Sequence, residues 1–283
     1  MKAVSGAPSV QESSPPFGAL APSPAQEKVR RLARRLPDNY WGRRGASLLL
    51  GPAGGRAGRA FDVEIFDTAR ARLHPYDNIC EKRVYLTPQL WDARERGALA
   101  EFIAEEEGPF AFVDIGANAG LYSLFAACEA RAAHRAIRLI AVEPAAEMRA
   151  RMAFNFSVSG VDATIFPYAA TGAAGAVRLR IDPQSRGLSR LDEDGEAVEG
   201  RTIYMMLAEA GLGAVDAMKI DIEGHEYPAL SAFFRDAPHA LWPRLLLLET
   251  SQEDPTHSAK ALALSKGYRA RIETKLNTVL ERG

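Results

Sequence analysis

Cysteine, histidine and long apolar runs are all scarce in this 283-residue chain. Its two cysteines, Cys80 and Cys128, supply neither a disulfide framework nor a metal ligand set. Of its five histidines, His74, His134, His239 and His257 are scattered without ligand spacing and read as surface or packing residues. No apolar run approaches the ~20 residues that cross a bilayer. The N-terminus lacks a charged-then-apolar signal pattern, so the cytoplasm is the expected compartment. With a formal net charge of −1, no global field recruits nucleic acid or an anionic membrane. What is present is core: 47% of residues are hydrophobic and 25% charged, which suits one large domain with an added N-terminal piece.

Three regions follow from composition. Residues 1–26 are rich in Pro, Ser, Ala and Gly, cannot bury enough surface to offset their ordering entropy, and are expected to be disordered. Residues 27–107 form an extension with a basic helix, an edge strand over Phe61–Phe66 and a lid helix over Thr87–Glu107. Thr87 caps that lid helix, Pro88 suits its first position, and Gly108-Pro109 ends it. In the basic stretch, residues 28–44, Lys28, Arg30, Arg31, Arg34, Arg35, Arg43 and Arg44 are interleaved with Leu32, Leu36, Tyr40 and Trp41. A solvated helix docking those apolar groups on the domain is favoured over a membrane-surface helix. From residue 108 onward strands and helices alternate, the mark of a mostly parallel sheet covered on both faces. Within that region Asp182–Gly200 reads as a long polar loop, with Ser185–Ser189 a candidate substrate contact and His74–Tyr85 a candidate wall or lid.

The most informative stretch is Phe112–Ser123. A short apolar strand passes Asp114, turns through Gly116 and Gly120, and becomes a helix whose face carries Leu121, Leu124, Phe125 and Cys128. A strand, a glycine turn and a helix N-terminus make a ligand site, with free amides facing the space above the strand's carboxyl edge. The spacing is G-x-x-x-G rather than the G-x-G-x-x-G of a dinucleotide pyrophosphate cradle. Asp114 at the strand end would repel a pyrophosphate and attract a cation or hydroxyls, which favours S-adenosylmethionine. Glu143-Pro144 closes the next strand about twenty residues on, placed to accept from a ribose diol. The expected cofactor shell is Asp114, Gly116, Asn118, Gly120, Tyr122, Ser123, Glu143 and Pro144, with Ala170 bordering an adenine-sized slot.

A second stretch, Val215–Glu226, carries Lys219 and Asp221 two apart on one strand face, then Glu223, Gly224, His225 and Glu226 where the chain turns into a helix. Acids this dense at a buried strand end are costly unless paired or employed. Lys219 has Asp221 or Glu249 as an ion-pair partner in the purely structural reading. Lys219, Asp221, Glu223, His225 and Glu226 are the candidate catalytic residues, the acids and the imidazole being candidate bases for a weak hydroxyl nucleophile. A divalent metal on the same oxygens is weighed and not favoured.

Three segments resemble the FkbM family of methyltransferases: Val113–Gly120, Val142-Glu143-Pro144 and Lys219–Glu226, within a likeness over roughly residues 75–283. The resemblance implies a Rossmann-like class I fold with a seven-stranded, mostly parallel sheet. Its last hairpin, antiparallel, would lie near Tyr268–Ile272 and Asn277–Glu281. It also implies S-adenosylmethionine-dependent O-methyl transfer to a small-molecule or glycan acceptor, a hydroxyl of a sugar or of a polyketide-like product. One departure is Ile203-Tyr204, where the family usually has a Leu-Asp pair. Two rivals are a nicotinamide-dependent oxidoreductase on a similar sheet and a non-catalytic cofactor-binding homologue. The first needs a phosphate cradle that is missing. The second would show eroded motif acids, yet Asp114, Glu143, Asp221, Glu223 and Glu226 are all present.

Overall fold

The structure is a computed structural model that describes residues 15–105, 107–182, 185–191, 194–251 and 256–283. Helices α1 (Pro24–Ala33) and α2 (Tyr40–Leu49) lead into a small antiparallel ribbon, β1 (Phe61–Ile65) with β2 (Ala69–Leu73). Helices α3 (Ile79–Leu86) and α4 (Ala93–Glu105) complete the extension. The main domain alternates β3 (Phe110–Ile115), α5 (Leu121–Ala132), β4 (Ile137–Val142), α6 (Ala146–Ser159) and β5 (Ala163–Phe166). Next comes a side sheet of β6 (Ala169–Ala170), β7 (Gly175–Asp182), β8 (Ser185–Leu191) and β9 (Glu196–Arg201). Then follow α7 (Ile203–Glu209), β10 (Ala217–Ile220), α8 (Glu226–Asp236), β11 (Leu245–Glu249), α9 (Ala259–Ser265), β12 (Arg269–Glu273) and β13 (Asn277–Glu281).

The central sheet has seven strands in the order β12-β13-β11-β10-β3-β4-β5, all running one way except β13, which lies antiparallel between β11 and β12 and closes the antiparallel last hairpin that the resemblance implied. The chain leaves β3 in one direction to build β4 and β5 and returns on β3's other side with β10. The crevice above the carboxyl ends of β3 and its neighbours is therefore a topological switch point, where ligands enter open α/β sheets. Side-chain alternation splits the core in two. Phe112, Leu139, Ala141, Ala217 and Leu247 join α3, α4 and α5 on one face, while Val113, Ile140, Met218, Ile220 and Leu246 join α7, α8 and α9 on the other.

Several expectations change. The lid helix begins at Ala93, and Thr87 instead ends α3, because Asn78 caps a helix within the segment read as a loop: its Oδ1 accepts from the Cys80 and Glu81 amides. Residues 1–14 of the tail expected to be disordered lie outside the described residues. From Pro15 the backbone is placed, with Gly18 and Leu20 donating to Asp62 and Ser23 forming a capping box with Gln26 that starts α1. The basic stretch docks only in part: Leu36 packs against the core while Leu32, Tyr40 and Trp41 are exposed, and Arg30 is buried, donating to the Tyr85 carbonyl and lying over its ring. The polar loop of Asp182–Gly200 is mostly the β8–β9 part of the side sheet, so Ser185–Ser189 sits in a strand.

Candidate active site

Four neighbouring strands, β11, β10, β3 and β4, each finish on an acid. Ile115, Val142, Ile220 and Leu248 lie level in the pairing, with Asp114 one residue below that line and Glu143, Asp221 and Glu249 one above. The strand alternation carries all four acids to the α3–α5 face. Asp114, Glu143 and Asp221 border a cavity of about 960 Å³, open to solvent at its mouth, walled also by Ile79, Trp91, Asp92 and Tyr168. α3 is pinned over it by Arg151 of α6, which binds Asp77 at 2.7 Å, Glu81 at 2.9 Å and Glu147 at 2.6 Å.

On the β3–β4 side the acids are held by backbone amides and one serine hydroxyl. Asp114 is 1% exposed, and its Oδ2 accepts from the Ser123 hydroxyl at 2.8 Å and the Ser123 amide at 3.2 Å. Its Oδ1 is buried with no partner among the described residues. Burial pushes this carboxyl up, opposed chiefly by the Lys219 ammonium on the next strand, its cross-strand neighbour. Glu143 accepts from the Asn118 amide and the Ala145 amide, both at 2.8 Å. Burial raises it to about 7 against those two bonds. Contrary to the expected free amides, the turn satisfies itself: Gly116 and Ala117 donate to the Val142 carbonyl, Asn118 to Glu143, Ala119 to the Asn118 side chain, and Gly120 to the Ala117 carbonyl.

On the β10–β11 side the groups hold one another. Lys219 lies 2.8 Å from Asp221 Oδ2 and 5.0 Å from the centroid of the Tyr122 ring, and the surrounding negative charge, Asp221 first, keeps it firmly protonated despite burial. That ammonium holds Asp221 below the usual carboxylate range against its burial. Glu249 is pushed the other way, to about 8, by burial and by the Asp221 charge. Its Oε1 accepts from the Ser251 hydroxyl at 2.6 Å, and its Oε2 has no partner among the described residues. Asp221, Glu223 and Glu249 each offer an oxygen within 4.8 Å of the others, a spacing that a divalent ion could bridge. His225 lines the cavity, its Nδ1 buried without a partner among the described residues, and burial pushes the imidazole below its ordinary value.

Two residues fix the two sides together. Gly116 adopts φ +79°, and a Cβ there would lie 1.9 Å from the Asp221 carbonyl oxygen. Asp92, Asn118 and Glu223, all on the cavity wall, also hold positive φ values of 42°, 52° and 55°. Such backbone strain in non-glycine residues gathers at functional sites.

Most expected site residues therefore converge: Asp114, Gly116, Asn118, Tyr122, Glu143, Pro144, Ala170, Lys219, Asp221, Glu223 and His225 line the cavity. Three are not on its wall. Gly120 provides the left-handed turn, and a Cβ there would meet Met152 and Phe156. Ser123 is buried beneath Asp114 as its hydrogen-bond donor. Glu226 turns back to accept from the Ile222 amide at 2.8 Å, fixing the strand-to-helix turn. Sequence reasoning missed Trp91 and Asp92, hidden inside a helix begun too early. It gave Glu249 only an ion-pair role, although an acid ending the apolar run Leu245–Leu248 repeats the pattern of Glu143 and Asp221.

The model of the FkbM methyltransferase domain matches residues 114–269, more than half of the chain. No curated protein matches it by sequence. Among solved structures, the precorrin-6y C5,15-methyltransferase of Geobacter metallireducens is 13% identical, with 65% of this chain and 86% of that one covered at a TM-score of 0.41. A tRNA (uracil-54, C5)-methyltransferase of Pyrococcus abyssi, in complex with S-adenosyl-L-homocysteine, is 10% identical over 79% and 44% at 0.44. A Streptococcus mutans protein described as a putative SAM-dependent methyltransferase is 11% identical over 78% and 55% at 0.45.

Proposed function

The chain belongs to the FkbM family of S-adenosylmethionine-dependent methyltransferases, and from that premise we propose that it methylates a hydroxyl oxygen of a sugar, glycan or polyketide-like acceptor. The observation that carries the cofactor half is the character of the crevice: two buried carboxylates under a turn whose amides are all engaged. A pyrophosphate needs free amides and no adjacent acid, so this edge suits a ligand with an ammonium, a sulfonium and a ribose diol. Asp114, with its unpartnered Oδ1, would take the ammonium. Glu143 would take the ribose hydroxyls, and Pro144, Tyr168 and Ala170 would flank the adenine. When bound, S-adenosylmethionine supplies an electrophilic methyl group on a sulfonium.

The chain's own residues then have the acceptor to manage. In-line transfer forms the new O–CH3 bond as the S–CH3 bond breaks, the electron pair staying on sulfur and the hydroxyl proton leaving to a base. Alignment supplies much of the rate, because the oxygen must stand opposite the sulfur. Lys219 and Asp221 form a fixed dipole at the end of β10 that would orient the hydroxyl. Burial pushes the His225 imidazole below its ordinary value, favouring its neutral form, and its Nδ1 has no partner among the described residues, so it is the group suited to take the proton. Asp221, held ionised by Lys219, is the weaker base. Glu226 is committed to the Ile222 amide and plays a positioning part.

Calorimetry of the purified protein against S-adenosylhomocysteine and against NADH tests the cofactor reading. The homocysteine ligand should bind and NADH should not; the reverse order would sink it. Transfer of a labelled methyl group from S-adenosylmethionine into an extract of small molecules and glycans, in an alkali-stable ether linkage, tests O-methylation.

A further inference from the structure

A second cavity, enclosing about 1220 Å³ of space open to solvent, adjoins the first and shares Trp91 and Asp92 with it as a common wall. Its floor is at the same carboxyl edge of the sheet. Thr274–Leu276, which lines it, is the turn between β12 and β13, and Asn277 beside that turn pairs with Glu249 at the end of β11. Cations reach it from separate parts of the chain: Arg43 from α2, Arg83 from α3, Arg94 from α4 and Lys275 from the hairpin turn. Its acids are already engaged. Asp38 binds Arg43 at 2.8 Å, Glu95 accepts from Thr274 at 2.6 Å and Asn277 at 3.2 Å, and Asp92 accepts from the Tyr122 hydroxyl at 3.0 Å. Arg83 and Lys275 are exposed and have no ion-pair partner among the described residues. On a chain of net charge −1, this rim is locally positive.

We propose that this second cavity is the acceptor site, and that the acceptor carries an anionic substituent, a phosphate ester or a carboxylate, gripped by Arg83 and Lys275 while its hydroxyl passes the Trp91–Asp92 wall toward the cofactor. The inference rests on the methyl-transfer reading and adds the acceptor's charge class to it. Exposed cations without partners, converging on one cavity, bind an anion without breaking any existing pair. Trp91 supplies an apolar face for a ring or alkyl part of the acceptor, and Asp92, at φ +42° and with one oxygen outside the Tyr122 bond, stands where the hydroxyl would cross.

The protein saturated with S-adenosylhomocysteine should be titrated with inorganic phosphate, with glucuronate and with neutral glucose, followed by calorimetry. At least one anion should bind, about tenfold or more tightly than glucose, and its affinity should fall as salt is raised. Replacing both cations, Arg83→Ala with Lys275→Ala, should weaken that anion about tenfold while leaving S-adenosylhomocysteine affinity unchanged. Preference for phosphate or for glucuronate identifies which anionic group the site takes. Equal affinity for glucose, binding of neither anion, or a double variant that binds like the parent would overturn the proposal. Failure of S-adenosylhomocysteine itself to bind would instead overturn the cofactor reading beneath it.

Discussion

Asp114 and Glu143 at the ends of β3 and β4 contrast with Asp221 and Glu249 at the ends of β10 and β11. All four acids share one face of one sheet edge, yet the first pair is buried and tied to backbone amides or a serine, while the second pair is half-buried and tied to other side chains. A carboxylate held by backbone donors keeps a fixed position, which suits it to gripping one ligand repeatedly. A carboxylate held by a lysine and a neighbouring acid has its charge set by that neighbour, which suits it to orienting a reacting group. The same residue type at equivalent strand ends thus serves two purposes, and the donor set decides which.

The strongest way to break the distinction is to damage the closest approach between the two halves, that of Gly116 to the Asp221 carbonyl. Gly116→Ala should cost about 3 kcal/mol or more of stability in urea unfolding, because the added Cβ overlaps the Asp221 carbonyl in a backbone conformation that disfavours side chains. A variant as stable as the parent would mean that the two halves are not rigidly joined. Next in size, Asp114→Asn should weaken S-adenosylhomocysteine roughly 10- to 100-fold by calorimetry, the ~1.5–3 kcal/mol of a charged hydrogen bond.

A smaller effect probes the second pair by pH. Burial lifts the Glu249 carboxyl from its ordinary 4.5 to about 8, so the folded protein holds that proton more tightly than the unfolded chain does. Stability from this group is full below pH 4.5 and is lost as pH rises through about 8. Glu249→Gln removes the titration, so its urea midpoint should fall less than the parent's across that interval; parallel curves would contradict the raised proton affinity. The smallest expected change is none: a chelator should leave methyl transfer unaltered, because the Lys219 ammonium already supplies the positive charge beside Asp221. A severalfold loss restored by magnesium or manganese would make Asp221, Glu223 and Glu249 metal ligands instead.

Much of the site was legible because its residues lie in two short segments where local rules act. An apolar run ending on an acid before a glycine turn is recognisable at Asp114 and Asp221, and both acids line one cavity. Asp92 and Trp91 escaped because a helix start was placed at Thr87; the competing signal was Asn78, whose side chain caps α3 and moves the helix boundaries. The burial of Arg30 escaped too, since a basic run reads as solvated until the Tyr85 ring and carbonyl are there to receive one guanidinium.

From sequence alone came the parallel sheet, the glycine turn and the acids at strand ends, because backbone period and turn stereochemistry depend on neighbours a few residues apart. Only the folded chain determined which of those acids keeps its proton, which turn amides are already taken, and that cations from α2, α3, α4 and the last hairpin surround one cavity. Those properties depend on burial and on distances between groups remote in sequence, and neither quantity exists until the sheet is assembled.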